Sequence, residues 1–311
     1  MKLSLYLFFL SSILIADITN QDSLKKTILI EDIKIYGGLD ESSNTSNTKV
    51  IKTEKYRYNG NYDFENIIQS IENLHYAGGT SRAKYFQLRG LGELSQFSGE
   101  GAPHFYVGFI IDNIDFSGIG MIGNLFDTKQ VEIFKGPQSS IYGPNALGGI
   151  INIVSNDPIN KKILEFDIST YSFNGKTINA TASLPLNSKI LTKFTLSKNY
   201  TDGYIKNISD TSSPQFDTNS KDELLFRNKI LLKPNINTDI TITSYYINLD
   251  NKYDAWAPDN NGFTTYSDYQ GYDKQKSKAI SIKINWLSKN NNFTYISSYS
   301  DNIMNYSYDG D

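Results

Sequence analysis

Beyond about Pro158 the chain alternates in hydropathy from one residue to the next. Between Lys278 and Leu287, Ile280, Ile282, Ile284 and Trp286 fall on one face, and Ser281, Lys283 and Asn285 fall on the other. Leu164, Phe166 and Ile168 oppose Glu165, Asp167 and Ser169 in the same way. A period of two places successive side chains on opposite faces of a strand. Seven stretches read as strands: ILEFDISTYSF, KTINATASLPL, KILTKFTLSKNY, DELLFRNKILLK, DITITSYYINLD, KAISIKINWL and NNFTYISSYSD. Tight turns are expected at Asn174-Gly175, Asn187-Ser188 and Pro234-Asn235, in alternation with long polar loops at Thr201–Lys221 and Asn251–Lys274.

The preceding hundred residues read differently. In Tyr62–Leu74, Phe64, Ile67, Ile68, Ile71 and Leu74 recur at spacings of three and four, which predicts an amphipathic helix. KYFQLRG, HFYVGFIIDNIDF, VEIFKG and GGIINIVSN read as short strands between Gly-rich turns. Together they predict a small α+β unit. Upstream, residues 17–52 are polar and turn-rich, with one apolar island at Ile28–Gly38 and a linker-like run at Ser42–Thr48. Lys2 followed by the apolar run Leu3–Ala16 fits a secretory leader over residues 1–16, with an uncleaved membrane anchor as the alternative.

Alternation alone suits a secreted β-domain as well as a membrane barrel. Short turns on one side and long loops on the other favour the barrel, whose strands are about ten residues long. Aromatic residues cluster near strand ends (Tyr171 and Phe173, Tyr200, Tyr245 and Tyr246, Trp286, Tyr299), which suits interfacial girdles. The chain has 22 Tyr and 17 Phe, and a ring with a polar tip suits a boundary between apolar and wet phases. No further segment reaches the ~18 apolar residues of a spanning helix.

Composition removes other chemistries. With no Cys there is no disulfide framework or thiolate metal site, and two His, His75 and His104, make a transition-metal centre improbable. A formal charge of -3 gives no electrostatic support for nucleic-acid binding. Gly136 and Gly143 lack the Lys of a phosphate-binding loop, and Gly90 and Gly92 lack the third glycine of a dinucleotide fingerprint. Asp112 and Asp115 could be imagined as an acid–base pair, but they sit on a strand-turn and read more simply as a solvated turn. No catalytic residues are assigned, and no cofactor or metal is expected.

The most specific stretch is VEIFKGPQSSIYGPNALGGIINIVSNDP, Val131–Pro158. With YFQLRGLGELSQF and VGFIIDNIDFSGIG, it resembles the TonB-dependent receptors of the Gram-negative outer membrane, and the later strands fit that resemblance. The resemblance implies an α+β plug domain followed by antiparallel transmembrane β-barrel strands. The expected boundaries are a signal peptide at 1–16, a periplasmic segment at 17–52, a plug at 53–158 and the N-terminal part of a barrel at 159–311. Family barrels have about 22 strands. Seven strands, Ile163 to Ile303, cannot close around a plug, so an incomplete barrel is expected, from a truncated record, a broken gene or a receptor completed by a second chain. A truncated product is expected not to transport.

The resemblance also implies roles. Glu31, Asp32, Ile33, Lys34, Ile35 and Tyr36 resemble the TonB box, whose partner is TonB with the ExbB and ExbD proteins; a short plug strand is the alternative. Arg89, Gly90, Glu132, Lys135, Gly136, Pro137, Tyr142, Gly143, Asn145, Ala146, Gly148 and Gly149 match the family's plug motif. Arg82, Arg89, Glu132 and Lys135 are candidates for ionic contacts between plug and barrel. Lys135 stands where the family usually has Arg, so the two-pronged geometry is lost there. Ser95, Gln96, Phe97 and His104 are candidates for ligand contact at the plug apex. The implied activity is uptake of a scarce nutrient, foremost a ferric siderophore, by a non-enzymatic monomer in outer-membrane lipid. A plug-like binding module without transport is the second reading.

Overall fold

The computed structural model describes residues 48–54, 62–77, 81–92, 105–119, 124–209, 217–253 and 261–309. The first 158 residues contribute strands β1 (Thr48–Lys52), β2 (Leu74–Ala77), β3 (Tyr85–Leu88), β4 (Leu91–Gly92), β5 (Val107–Ile111), β6 (Ile114–Asp115), β7 (Thr128–Phe134) and β8 (Gly149–Ser155). They form a mixed five-stranded sheet in the order β1-β7-β8-β5-β6, with β5 and β8 parallel, and a small sheet β2-β3-β4.

The helix predicted over Tyr62–Leu74 is cut to one turn, α1 (Glu65–Ile68). After it the chain coils more tightly: Ser70 N donates to Ile67 O and Ile71 N to Ile68 O, both at 2.9 Å. Such i→i+3 bonds wind closer than an α-helix and do not persist. Asn73, at φ 59°, ends the coil, and Leu74 opens β2. The predicted apolar face nonetheless points inward, with Phe64, Ile67, Ile68, Ile71 and Leu74 all buried. Phe64 meets Phe86 and Phe109 with centroids 6.1 and 5.8 Å away, at the centre of the core.

Between β7 and β8 the Gly-Pro-rich stretch makes a closed excursion. It contains one helical turn, α2 (Ser139–Tyr142), and a 3₁₀ turn at Pro144–Ala146. Gln138 N donates to Ala146 O at 2.8 Å and shuts its base. At the re-entry point Gly149 has φ 150°, and a Cβ there would stand 2.3 Å from Phe134 O and 2.5 Å from Leu88 Cδ2. Only a residue without a side chain can start β8 at this position.

The alternating half forms one seven-stranded antiparallel sheet, a partial barrel wall. Its strands are β9 (Ile163–Tyr171), β10 (Gly175–Asn187), β11 (Ile190–Thr201), β13 (Lys221–Asn235), β14 (Thr238–Lys252), β16 (Tyr272–Leu287) and β17 (Asn292–Ser307). Adjacent members pair in chain order, so the edges are β9 and β17. Two short strands, β12 (Lys206–Asn207) and β15 (Thr264–Thr265), pair in parallel and tie the two long loops together. Asn207 Nδ2 donates to Ser267 O at 2.8 Å across that tie.

Three sequence expectations shift. The turn expected at Pro234-Asn235 lies at Ile236–Asn237, because β13 runs through Pro234 at the end of the strand, where β11 no longer pairs with it. The Asn174 turn shares an end with the two long loops rather than lying opposite them, since β9 and β10 are the first hairpin of the meander. β16 and β17 run several residues further toward that end, where polar residues on both faces hide the alternation.

The polarity of the wall is the reverse of a soluble sheet. Thr177, Asn179, Thr181 and Ser183 of β10 face inward and are buried, as are Gln275, Ser277 and Ser281 of β16. Outward, Leu164, Phe166 and Ile168 are 64%, 64% and 73% exposed, and Ile280 and Trp286 are exposed too. A sheet buries polar residues and bares apolar ones only where its outer face meets something other than water. No described helix is long and apolar enough to cross a membrane, which says nothing of strands.

Candidate functional site: the plug against the wall

The apolar core does not stop at the plug. Leu225, Tyr245, Ile247, Leu249 and Ala279 of the wall belong to the same buried cluster as Phe64, Phe86 and Phe109. Around this shared patch lie two tiers of charge with opposite polarity.

In the tier nearer the long loops, the plug supplies cations and the wall supplies carboxylates. Arg82 Nε donates to Glu223 Oε1 at 2.7 Å, and its Nη2 bonds the other carboxylate oxygen, so the guanidinium grips Glu223 with both prongs. The same guanidinium lies 3.0 Å from Asp63 and 3.2 Å from Glu65. Burial disfavours its charge, yet these three carboxylates hold its pKa well above the usual arginine value. Lys84 Nζ bonds Asp273 Oδ1 at 2.7 Å, and Ser81 donates twice to the other oxygen of the same carboxylate.

Deeper, the signs invert. Asp112 and Asn113, with φ of 47° and 68°, form the two-residue turn between β5 and β6. That turn points into the wall, so the solvated turn expected for Asp112 is a buried one. Its carboxylate accepts from Ser155 N (3.0 Å), Ser155 Oγ (2.6 Å) and Tyr245 Oη (2.5 Å), and Lys229 Nζ lies 3.4 Å away. Burial pushes the Asp112 pKa up, but Lys229, Arg227 and the hydrogen bonds outweigh it and leave the group at about 2. Asp127 accepts from Arg227 Nη2 at 2.9 Å and from Thr195 Oγ1 at 2.8 Å, and pairs with Lys193. Burial opposes its charge as well, and the cations of Arg227 and Lys193 hold its pKa below the ordinary aspartate value.

Of the four residues expected to make plug–barrel ionic contacts, Arg82 reaches the wall. Lys135 pairs at 3.2 Å with Glu72 of the plug, a carboxylate it shares with Lys49 at 2.7 Å. Glu132 is fully buried in β7 and accepts from Gln130 Nε2 (2.7 Å) and Asn152 Nδ2 (2.8 Å). Arg89 and Gly90 make the two-residue turn between β3 and β4, where Arg89 Nη1 donates to Lys135 O at 3.2 Å. Gly136 and Pro137 follow β7, and Tyr142 closes α2. Gly143 has φ 78°, and Ala146 is fully buried. Asn145 accepts from Phe105 N at 3.1 Å and donates to Asp115 at 3.0 Å, while Gly148 N donates to Tyr106 O at 2.7 Å. Glu31–Tyr36 and Ser95, Gln96, Phe97 and His104 lie outside the described residues.

Sequence reasoning missed Lys84, Asp112, Asp127, Arg227, Lys229 and Glu223 as plug–wall contacts. One signal was available. Glu223, Arg227 and Lys229 sit on the face of β13 opposite Leu224 and Phe226, so an apolar outer face predicts charges aimed inward. A cavity of about 850 Å³ remains between plug and wall near the long-loop end, bounded by Tyr62, Asp63 and Asn124 on one side and Tyr171, Asn199 and Lys221 on the other. Among the described residues no cluster of three His or acidic groups could hold a metal ion.

A plug seated on the polar inner face of a strand wall is a specific architecture, and the family comparison agrees with it. Residues 40–150 match the family model described as the TonB-dependent Receptor Plug Domain. This segment is similar to the plug domains of the TonB-dependent receptors. The pesticin receptor of Yersinia pestis is 40% identical over 60 residues, which are 18% of this chain and 9% of that protein. The ferric yersiniabactin uptake receptor FyuA from Yersinia pestis superposes with a TM-score of 0.71 at 17% identity, covering 87% of this chain and 43% of that one. The siderophore receptor PiuA from Acinetobacter baumannii gives 0.63 at 18% identity, over 83% and 36% of the two chains. The plug and the partial wall thus share the fold of these receptors, and the chain spans less than half of their length.

Proposed function

We propose that this TonB-dependent receptor chain serves active uptake of a ferric siderophore across the outer membrane of a Gram-negative bacterium. The observation that carries the reading is the wall itself: its apolar face is turned outward, and its polar face is clamped to a plug. Lipid covers the first surface, and water can replace the plug at the second, because the groups left behind are hydroxyls, amides and charges that water solvates. The solved structures superposed above are of siderophore receptors by their descriptions, and this supports iron-siderophore as the cargo. The cavity beside Tyr171 and Asn199 is of ligand size.

TonB, energised with ExbB and ExbD, engages Glu31–Tyr36 and adds it to a sheet edge. Among the described residues, the chain enters the plug through β1, an edge strand of its sheet that pairs with β7. A pull on the segment therefore loads the β1–β7 ladder first. The reading is tested by fractionating cells that express the chain and by following labelled ferric siderophore uptake with and without TonB. Recovery in the outer membrane and TonB-dependent uptake are expected. Recovery as a soluble periplasmic species overturns it, and outer-membrane recovery with ligand binding but no uptake favours a binding module.

A further inference from the structure

Loops usually run over a surface with their main chain bonded to water, yet the two long loops of this wall share a buried polar knot. The first loop joins β11 to β13 and the second joins β14 to β16. Where β12 and β15 pair, Lys206 N donates to Phe263 O and Ile208 N to Thr265 O, both at 2.9 Å. The side chain of Asn207 continues the pairing past β15. Its Nδ2 donates to Ser267 O at 2.8 Å, and its Oδ1 accepts from Ser267 N and Ser209 N, each at 3.1 Å. One carboxamide thus pairs with both main-chain groups of Ser267, as a neighbouring strand would.

The returning limb of the first loop meets the same residue. Asn207 N donates to Asp217 Oδ1 at 3.3 Å, and Thr218 N donates to Ile205 O at 3.1 Å. Asn207, Thr218, Thr265 and Ser267 are all buried. Buried polar groups bonded this closely are costly to separate, because each would lose its partner away from water. The knot is also anchored at both flanks. Asp202 N donates to Phe173 O at 3.0 Å in the β9–β10 turn, and Asp268 N donates to Asp309 Oδ2 at 2.9 Å beyond β17.

What the knot carries is an aromatic ring. Tyr204, three residues before Asn207, lines the cavity between plug and wall and is 46% exposed, so it stands at the boundary of cavity and solvent. Its ring meets Phe263 of the second loop at 6.5 Å and Phe173 at 6.1 Å between centroids. Gly203 beside it, at φ 85°, lies close against the returning limb, since a Cβ there would stand 2.5 Å from Thr218 O. We infer that Asn207 is a positioning residue for this cavity: it joins the described limbs of the two loops into one body, and that body holds Tyr204 at the cavity's mouth. The use of this body in uptake rests on the reading proposed above; the joining of the loops does not.

The test uses the full chain refolded in detergent micelles, without siderophore or TonB. In Asn207→Ala, hydrogen exchange is expected to quicken about ten-fold in peptides spanning 204–209 and 263–269 alike. The second peptide includes Asp268 and Tyr269, whose amides bond to Asp309 rather than to Asn207. The chain has no Cys, so Thr177→Cys, buried in the cavity lining, reports access to the cavity alone. Its modification by a polyethylene-glycol maleimide should also quicken about ten-fold when Asn207→Ala is added. The same reaction at Lys289→Cys, in an exposed turn at the other end of the wall, should keep its rate. If Asn207→Ala prevents folding, judged by β-sheet circular dichroism, Asn207→Asp is read instead. It keeps the acceptor and loses the donor, and both measurements should quicken about three-fold. Quickening confined to the first loop overturns the single body. Quickening in both loops with unchanged labelling at position 177 overturns the positioning role. Neither result bears on the cargo, whereas a chain with the knot intact and no uptake overturns the uptake reading and leaves the knot standing.

Discussion

Arg227 of the wall donates through Nη2 to both the carboxylate and the main-chain carbonyl of Asp127 in the plug, each at 2.9 Å. Asp127 has φ 54°, so this bond holds a left-handed turn as well as a charge. The same guanidinium also favours ionised Asp112, which makes Arg227 the shared cation of the inner tier. Oppositely signed tiers allow only one seating of the plug. A shift that brought Arg82 toward Arg227, or Asp112 toward Glu223, would set like charges together. Buried ion pairs are weak evidence of stability, but they are well suited to fixing register.

Replacing Arg227 by Met should therefore cost about 3–5 kcal/mol, because two buried carboxylates lose a cation that water cannot replace. The double variant Arg227→Met with Asp127→Asn should recover part of that loss. Denaturant unfolding of the single and double variants measures the difference. Equal destabilisation of the two would show that the charge left behind is not the cause.

The outer tier should behave as one coupled unit. Arg82→Lys keeps the charge but loses the two-pronged grip on Glu223, and Arg82→Met loses both. A double-mutant cycle between Arg82→Met and Glu223→Gln is expected to show a coupling of about 1–3 kcal/mol, with Arg82→Lys falling between wild type and Met. Additive effects would mean that Asp63 and Glu65 alone hold the guanidinium.

Acid should loosen the inner tier late. The Asp112 pKa falls from 3.8 to about 2 in the folded chain, so its contribution is complete above pH 3.8 and is lost as the pH falls through about 2. That shift corresponds to about 2 kcal/mol. Unfolding free energy measured from pH 5 downward should drop by about this much more in the wild type than in Asp112→Asn. A wild-type decline centred near pH 5 would point to another group.

Gly149 and Gly143 separate two kinds of glycine requirement. Gly143 has φ 78° but open space where a Cβ would stand, whereas at Gly149 that Cβ would meet Phe134 O at 2.3 Å. Gly143→Ala should cost about 1 kcal/mol, and Gly149→Ala about 3 kcal/mol or more, since strain and overlap add. Thermal unfolding of the two variants gives the order, and a reversed order would refute the reading of the excursion's base.

The strands were legible because period two survives wherever one face meets an apolar phase, whatever lies on the other. Thus Ile280, Ile282 and Trp286 located β16 from sequence, but the polar stretch from Tyr272 to Ser277 hid its first residues. The helix over Tyr62–Leu74 was half legible: its inward face was visible in the spacing, while the tightening after Ile68 was not. The plug–wall contacts were the least legible part. Arg227 and Asp127 stand 100 residues apart, and nothing local shows which turn meets which strand. Asp112 was read as solvated because hairpin tips usually face water, and this one faces Tyr245 and Lys229.

The inverted polarity of the wall yields the sharpest contrast between neighbouring residues. Ile282 lies on the outward face of the wall, and Ser281 beside it is buried inward, donating to Asp112 O at 2.8 Å. Ile282→Lys should weaken insertion into phosphatidylcholine vesicles by about 2–4 kcal/mol, the cost of a cation near mid-membrane on a lipid-facing strand. It should leave the Asp112 contacts intact, because it changes the other face. Ser281→Ala should do the reverse, sparing insertion and costing about 1 kcal/mol of plug–wall stability by removing a buried donor. Insertion scored by flotation and plug seating scored by protease protection read the two effects separately. If Ile282→Lys inserts as well as the wild type, the outer face of this wall does not meet lipid.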